Sequence, residues 1–418
     1  LGGARGGDSV KLLLTHPVGS QFVRQALRAF EDAGLLAEYW TSIARVPESS
    51  WDAFLPQSLR VELRRRSYEE DILSKTRRYP VLEAARLTAS RAGWRSLVRH
   101  ETGRFSTDAV IRGLDARVAK RLRRGGIDAV YAYEDGAFDS FLAARDCGAE
   151  RIYELPIGHW RLGRRLFKEE AELNPEWAGT LEGLQDSDEK LARKDEELRL
   201  AGTIVVPSQF VADSIVECPG VSARVNVVNY GCPAPAEIRA GPRNGPLKVL
   251  FVGSLGARKG VPYLLEAVRG LSVELTLIGP KPGMPCPPLE SGLREHRYLG
   301  SVPRPRVLEE MRAHDVFVFP TLFEGLANVL MEALSQGLVP ITTPNSGAGG
   351  IIRDGVNGYV VPIRSSEAVR GALEELSRDH DRLIDMRRQA LATAEANSWD
   401  RYRRLLVEVV SPVGVVHQ

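Results

Sequence analysis

The second half of the chain lays down five short apolar runs in close succession, and this spacing limits the fold more than any other feature. The runs are KVLFVG (248–253), VELTLIG (273–279), DVFVFP (315–320), LVPITT (338–343) and GYVVP (358–362), with helical periodicity at 262–270, 305–313, 326–336 and 366–377. Apolar runs buried on both faces and alternating with helices predict a parallel sheet covered by helices on each side. The first half follows the same pattern less regularly. KLLLTHP (11–17) precedes the amphipathic SQFVRQALRAFEDAG (20–34), and AEYWTSI (37–43), IDAVYAY (127–133), RIYEL (151–155) and TIVVP (203–207) read as further strands. Residues 56–125 read as a long, Arg-rich helical section and 181–200 as one charged helix. Gly and Pro concentrate in GCPAPAEIRAGPRNGP (231–246), which marks a boundary. At 418 residues the chain exceeds the ~250–300 at which single cores stop growing. The expected architecture is therefore α/β, with two doubly wound Rossmann-like domains over 10–232 and 246–395 and a closing segment over 396–418.

A hydrophobic fraction of 43% and a charged fraction of 26% are those of an ordinary globular protein. No apolar run reaches the ~18–20 residues that cross a bilayer. The opening LGGARGGDS reads as a tail with no signal-peptide pattern. Cys147, Cys218, Cys232 and Cys286 are far apart and form no CxxC, which points to a reducing, cytoplasmic setting and away from a zinc site. The net charge of +2 is unevenly spread, since residues 60–124 hold 18 Lys+Arg against 8 Asp+Glu. Two readings stand for that section: solvated helix faces, or a surface for peripheral contact with an anionic membrane or a phosphorylated acceptor. No nucleic-acid motif accompanies it, so no nucleic-acid partner is expected.

In doubly wound sheets the ligand-binding residues follow the strands. FPTLFEGLANVLMEALSQGLVPITT (319–343) takes a strand into a loop bearing Glu324 and Gly325, and then into a helix bearing Glu332. The N–H groups of Gly325, Leu326, Ala327 and Asn328 are expected to open that helix and to suit an anion such as a pyrophosphate. Glu324 and Glu332 would lie on the order of 12 Å apart along the axis, a span that fits a diphosphate sugar. In VGSLGARKG (252–260), Arg258 and Lys259 precede a helix N-terminus, where the dipole repels cations unless an anion lies between. HPVGSQF (16–22) puts Gly19 in the loop after the first strand, either as a turn or as a point of close backbone approach. It is not G-x-G-x-x-G, which argues against a nicotinamide dehydrogenase. Glu134 and Asp135 follow VYAY and could face a second substrate or cap the next helix.

Residues 248–362 resemble the donor-binding domain of family 4 retaining glycosyltransferases, whose E-x7-E signature falls on Glu324 and Glu332. The resemblance extends over 203–405 and is faint over 44–125. It implies a GT-B architecture, two Rossmann-like domains facing across a cleft, and a closing helix that crosses back to the first domain. It also implies that a nucleoside-diphosphate sugar of UDP or GDP type is the donor, with Lys259 on its diphosphate. The family's Arg position is Ser254 here, and Arg258 is the neighbouring substitute. Gly19 would approach the donor's far side and Val302 its base, and His159, three residues later than the family histidine, would contact the transferred sugar. The family's Glu before IIRDG is Gly350 in this chain. The acceptor, whether a glycan, a lipid-linked molecule or a small molecule, is unidentified.

Two D-x-D strings, Asp186/Asp188 and Asp379/Asp381, fall in or beside helices and read as helix-end or solvated charges, so no metal and no other cofactor is expected. The resemblance implies a hexosyltransferase with catalytic Glu324, His159 and Lys259, acting with retention and without metal. Two other classes share the motifs: a non-catalytic nucleotide-sugar-binding protein, and a phosphorylase or epimerase of similar architecture.

Overall fold

The computed structural model describes residues 10–46, 66–181, 183, 185–237 and 245–411. The opening tail, residues 56–65 of the Arg-rich section, residues 238–244 of the boundary and the last residues of the closing segment lie outside the described residues.

The first sheet is parallel and seven-stranded, in the order β3-β2-β1-β4-β5-β6-β7. Its strands are β1 (Leu12–Thr15), β2 (Leu36–Thr41), β3 (Thr76–Arg78), β4 (Ala129–Tyr133), β5 (Glu150–Glu154), β6 (Thr203–Val206) and β7 (Arg224–Val227). The second is parallel and six-stranded, in the order β10-β9-β8-β11-β12-β13. It comprises β8 (Leu247–Val252), β9 (Val273–Ile278), β10 (Arg297–Tyr298), β11 (Val316–Phe319), β12 (Val339–Thr342) and β13 (Tyr359–Val360). Every residue of β1, β4, β6, β11 and β12 is buried, because helices cover both faces of each sheet. The chain thus forms two doubly wound α/β domains.

Three strands are absent from the sequence-based expectation: β3, β7 and β10. All three lie at sheet edges. An edge strand with a wet face carries no continuous apolar run, and β7 is exposed at three of its four residues. The Arg-rich section is not one helical stretch. Its described part is broken into helices Glu70–Ser74, Val81–Arg91 and Thr107–Leu122, with β3 between the first two. Part of its charge is spent internally: buried Arg66 pairs with Glu83, and Arg121 with Glu38. The charged helix expected over 181–200 begins at Asp188, where Ser187 caps it.

Two strands of chain join the domains and run side by side. Cys232 bridges Ser398, and a Cβ on Gly231 would lie 2.4 Å from the Trp399 backbone. Beyond this seam the helix Trp399–Val410 returns to the first domain, where Arg403 bonds Gln25 on helix Gln21–Asp32.

Candidate active site

The strand order reverses between β8 and β11 in the second sheet and between β1 and β4 in the first. Such reversals splay the loops at the carboxyl ends of the strands and open a crevice for a ligand. After β8 the chain makes a single turn, Ala257–Lys259, before helix Val261–Val268. Gly260 closes that turn with φ of 75°, and a Cβ there would lie 1.9 Å from the Pro320 carbonyl oxygen. No other residue type fits both the backbone angle and the space. The tight approach laces the two loops together: Leu322 N–H and Thr321 Oγ1 both donate to the Arg258 carbonyl, at 2.8 and 2.9 Å.

This lacing brings the predicted cations to the predicted carboxylate. Arg258 Nη1 donates to Glu324 Oε1 at 2.8 Å, and Lys259 Nζ bonds the same oxygen. Arg258 also reaches the Phe323 carbonyl at 3.2 Å, and the Lys259 ammonium lies 5.2 Å from the centre of the Phe319 ring. Two cations thus meet on one largely buried carboxylate oxygen. Arg258, four residues after Ser254, stands beside Lys259 on the same carboxylate.

Helix Asn328–Ser335 starts two residues later than read, so Gly325 and Leu326 lie in the turn before it. The Ala327 N–H is directed to the Ser346 carbonyl at 3.2 Å and is not offered to a ligand. Gly325 is pressed against the first domain, where a Cβ would fall 1.7 Å from the Pro156 oxygen. Its glycine character therefore serves domain contact. Glu332, on that helix, takes a 2.6 Å bond from Arg304 Nε, a partner not seen in the sequence. Val302 is half-buried in the loop just before Arg304. Gly19 lies under the Tyr68 ring, with a Cβ position 2.1 Å from the phenol oxygen, so this tyrosine fills the space read as close to the donor.

His159, expected to contact the transferred sugar, lies buried within the first domain instead. It is 1% exposed and caps helix Trp160–Leu173 by accepting from the Arg161 N–H, while its Nε2 is 3.1 Å from Asp195. Burial lowers its pKa to about 4, against the opposing effect of Asp195. Both ring nitrogens are engaged inside the first domain. Asp195 also binds Trp160 Nε1 at 2.8 Å and pairs with Arg161, so the histidine belongs to the scaffold that fixes Trp160. Gly350 stands in an exposed turn. Asp379 caps helix His380–Ala396, as read, whereas Asp186 is an enclosed ion-pair partner of Lys190 and Lys194 and not a solvated charge.

Among the described residues two groups hold donor atoms close enough to share a cation: His159, Asp195 and Cys218, and His100, Glu101 and Asp186. In the first, Asp195 already receives Trp160 and Arg161; in the second, Glu101 receives Ser187, and Asp186 pairs with two lysines. Neither includes Lys259 or Glu324.

The domains meet closely beside the site. Phe323 projects from the second domain toward Gly158 and Gly163, whose Cβ positions would lie 2.6 and 3.0 Å from the ring, and it packs edge-on to Phe167. At the back of the cleft, Arg364 bonds Glu169 and Glu170 at 2.9 Å and the Leu166 carbonyl at 2.8 Å, and Tyr263 also donates to Glu170. A cavity of about 270 Å³ lies where the first-domain loops face Arg258 and Phe323.

The chain is similar to known proteins in part of its sequence and in its fold. Residues 246–379 match the family described as glycosyl transferases group 1. A phosphatidyl-myo-inositol mannosyltransferase from Mycobacterium leprae is 32% identical over 42% of this chain and 48% of its own length. The amylovoran biosynthesis glycosyltransferase AmsK from Erwinia amylovora is 26% identical over 45% of this chain and 50% of its own. The chain thus spans about half the length of these curated relatives. Over nearly the whole chain the fold is similar to solved structures. A sucrose-phosphate synthase from Thermosynechococcus elongatus superposes with a TM-score of 0.68 at 15% identity, covering 97% of this chain and 99% of that one. HepE from Anabaena, in complex with UDP, gives 0.62 at 14% identity over 96% and 100%. Among the described residues no helix is long and apolar enough to cross a membrane.

Proposed function

We propose that this chain, whose residues 246–379 form a group 1 glycosyl transferase domain of family 4 type, moves a hexosyl-type sugar from a nucleoside-diphosphate sugar to an acceptor with retention of anomeric configuration. The observation that carries the reading is the sharing of one Glu324 oxygen by Arg258 and Lys259 at the second sheet's reversal point. A diphosphate drawn there takes over the two cations and frees the carboxylate to accept from sugar hydroxyls. Glu332 with Arg304 serves the ribose and base end, beside Val302. The UDP held by HepE, which shares this fold, supports a nucleoside diphosphate as the leaving group.

In the transfer, the bond from the anomeric carbon to the β-phosphate oxygen breaks with its electron pair going to the diphosphate. A bond from that carbon to an acceptor hydroxyl oxygen forms on the same face, and the hydroxyl proton passes to the departing phosphate. Arg258 and Lys259 stabilise the growing negative charge, so the step needs no metal ion. The exposed Trp94, flanked by exposed Arg91, Arg95 and Arg99, supports peripheral contact with an anionic membrane on the inner side.

The test is incubation with a panel of UDP- and GDP-sugars, following nucleoside diphosphate release with and without added acceptors, in buffer with and without a chelator. Acceptor-stimulated release that survives the chelator supports the transferase. Binding without release indicates a binding protein, and release that needs inorganic phosphate indicates a phosphorylase.

A further inference from the structure

We infer that Thr180 is a positioning residue for the diphosphate end of the donor site: a hydroxyl supplied by the first domain that fixes the turn carrying Arg258 and Lys259. The inference rests on the transferase reading and deepens it by naming what holds the two cations in place.

Between β5 and β6 the chain makes a detour. A parallel crossover needs one helix, and Asp188–Leu200 supplies it, with its Glu197 receiving Tyr153 of β5 at 3.1 Å. Residues 156–181 come before that helix as an arm, built from helix Trp160–Leu173 and the single-turn helix Pro175–Thr180. The arm lies against the second domain at its start, middle and end. Pro156 and Gly158 meet Gly325 and Phe323, Glu170 receives Arg364 and Tyr263, and Thr180 meets the turn Ala257–Lys259. The first sheet does not require this excursion. What it touches are the two loops that bear Glu324 and the cations.

The contact at Thr180 is directional. The Ala257 N–H opens its turn and has no acceptor within it, so one must come from elsewhere. Thr180 Oγ1 accepts that N–H at 2.9 Å and donates its own proton to the Trp177 carbonyl at 2.7 Å. The bond inside the arm thus aims the hydroxyl's lone pair at Ala257. Thr180, Trp177 and Ala257 are all buried, so water is no substitute for a lost partner. Gly256 permits the approach, since a Cβ there would lie 2.9 Å from the Thr180 carbonyl oxygen. Arg258 and Lys259 follow Ala257 directly, and a displaced Ala257 carries both of them with it.

The turn is gripped on its far side as well. Helix Val261–Val268 begins where the turn ends. Its Tyr263 hydroxyl donates to the buried Glu170 carboxylate at 2.8 Å and accepts from Asn174 Nδ2 at 2.9 Å, both on the arm. Arg364 Nε adds a bond to Glu170 at 2.9 Å, from a backbone whose φ of 63° is uncommon outside glycine. The cation turn therefore has one anchor before it and one after it, and the first domain provides both. Two cations on one Glu324 oxygen repel each other, and a backbone fixed from outside keeps them converged before the diphosphate arrives.

The test is calorimetry on the full chain with UDP and GDP, with UMP and GMP, and with inorganic pyrophosphate. Thr180→Val keeps the branched shape and removes the hydroxyl. It should weaken the nucleoside diphosphate and pyrophosphate about ten-fold, while the monophosphate of the same base binds as in the parent. A general loosening of the fold would weaken both nucleotides alike. Thr180→Ser keeps the hydroxyl and should recover most of the loss. Tyr263→Phe should lower the ratio of diphosphate to monophosphate affinity in the same sense, and it decides the matter if Thr180→Val does not fold. A parent-like ratio in Thr180→Val, equal loss of both nucleotides, or a serine variant no better than the valine one overturns the inference. Binding of pyrophosphate but of neither nucleoside diphosphate counts against the transferase reading, and the pyrophosphate loss in Thr180→Val then decides the inference alone. A parent that binds none of these anions overturns both.

Discussion

The Ser208 hydroxyl of the first domain donates a 2.6 Å hydrogen bond to the Gly325 carbonyl of the second, beside the point where Gly325 touches Pro156. The residue next to Glu324 thus also sets how closely the domains approach. Adding one methyl group at Gly325 would place carbon 1.7 Å from the Pro156 oxygen, so the loops must separate. Gly325→Ala is expected to lower kcat by ten-fold or more, since positioning errors near 1 Å cost on the order of 10²-fold. Small-angle scattering should show a larger radius of gyration for the variant with nucleotide bound. Equal radii and equal rates would show that the contact is incidental.

Lys259 and Arg258 are expected to act on the leaving diphosphate. Lys259→Ala should cost on the order of 3 kcal/mol of transition-state stabilisation, or ~10²-fold in kcat, and Arg258→Ala a similar amount. Glu332→Gln, by contrast, should act mainly on the donor KM, because its bond from Arg304 is remote from the breaking bond. Steady-state kinetics with saturating acceptor separates the two patterns. Parent-like kcat in both cation variants would remove the proposed role of this loop.

Buried strands at the sheet centres were legible because helices on both faces force continuous apolar runs, as in Val316–Phe319 and Val339–Thr342. That Lys259 and Glu324 belong to one site was legible too, because each follows a strand of the same sheet; their direct contact follows from the adjacency of β8 and β11, which the sequence does not state. The limits are equally physical. Arg304 is 28 residues from Glu332, and Asp195 is 36 from His159; local pattern does not encode such pairs. Glu134 stands out in the sequence beside its strand, but the carboxylates that take the helix-end N–H groups come from Glu197 and Asp115, on other helices.

His159 provides a test of scaffold against chemistry. Its substitution by Ala removes a helix cap and a bond to Asp195, a loss of about 1–2 kcal/mol in stability. Its folded pKa is lowered to about 4 from the ordinary 6.5, so the neutral ring stabilises the fold at and above pH 6.5, and that contribution is lost as pH falls toward 4. Thermal melts at pH 5 and 7.5 should therefore show a larger pH-dependent drop in the parent than in His159→Ala. Donor turnover in water should stay far from the 10²–10⁴-fold loss of an acid–base residue. A loss of that size with an unchanged melt would return the histidine to the chemistry.

Glu154 makes the seam between the first sheet and the returning helix sensitive to pH. Its carboxyl, at the end of β5, is buried and accepts from Tyr131 at 2.5 Å and Tyr230 at 2.8 Å, and Tyr230 in turn packs against Trp399 and Tyr402 of the closing helix. Burial raises its pKa to about 7, the tyrosine hydrogen bonds pulling the other way. Below pH 4.5 both folded and unfolded chains hold the proton and the group is neutral in its effect. Between 4.5 and 7 the unfolded chain releases it first, so stability falls as pH rises, by on the order of 3 kcal/mol once pH 7 is passed. Glu154→Gln keeps the shape and removes the titration. The variant's melting temperature, taken relative to the parent, should therefore climb from pH 4.5 to about pH 7 and level off by pH 8. A difference that stays flat across that range would mean the carboxyl ionises in the folded chain as readily as in the unfolded one.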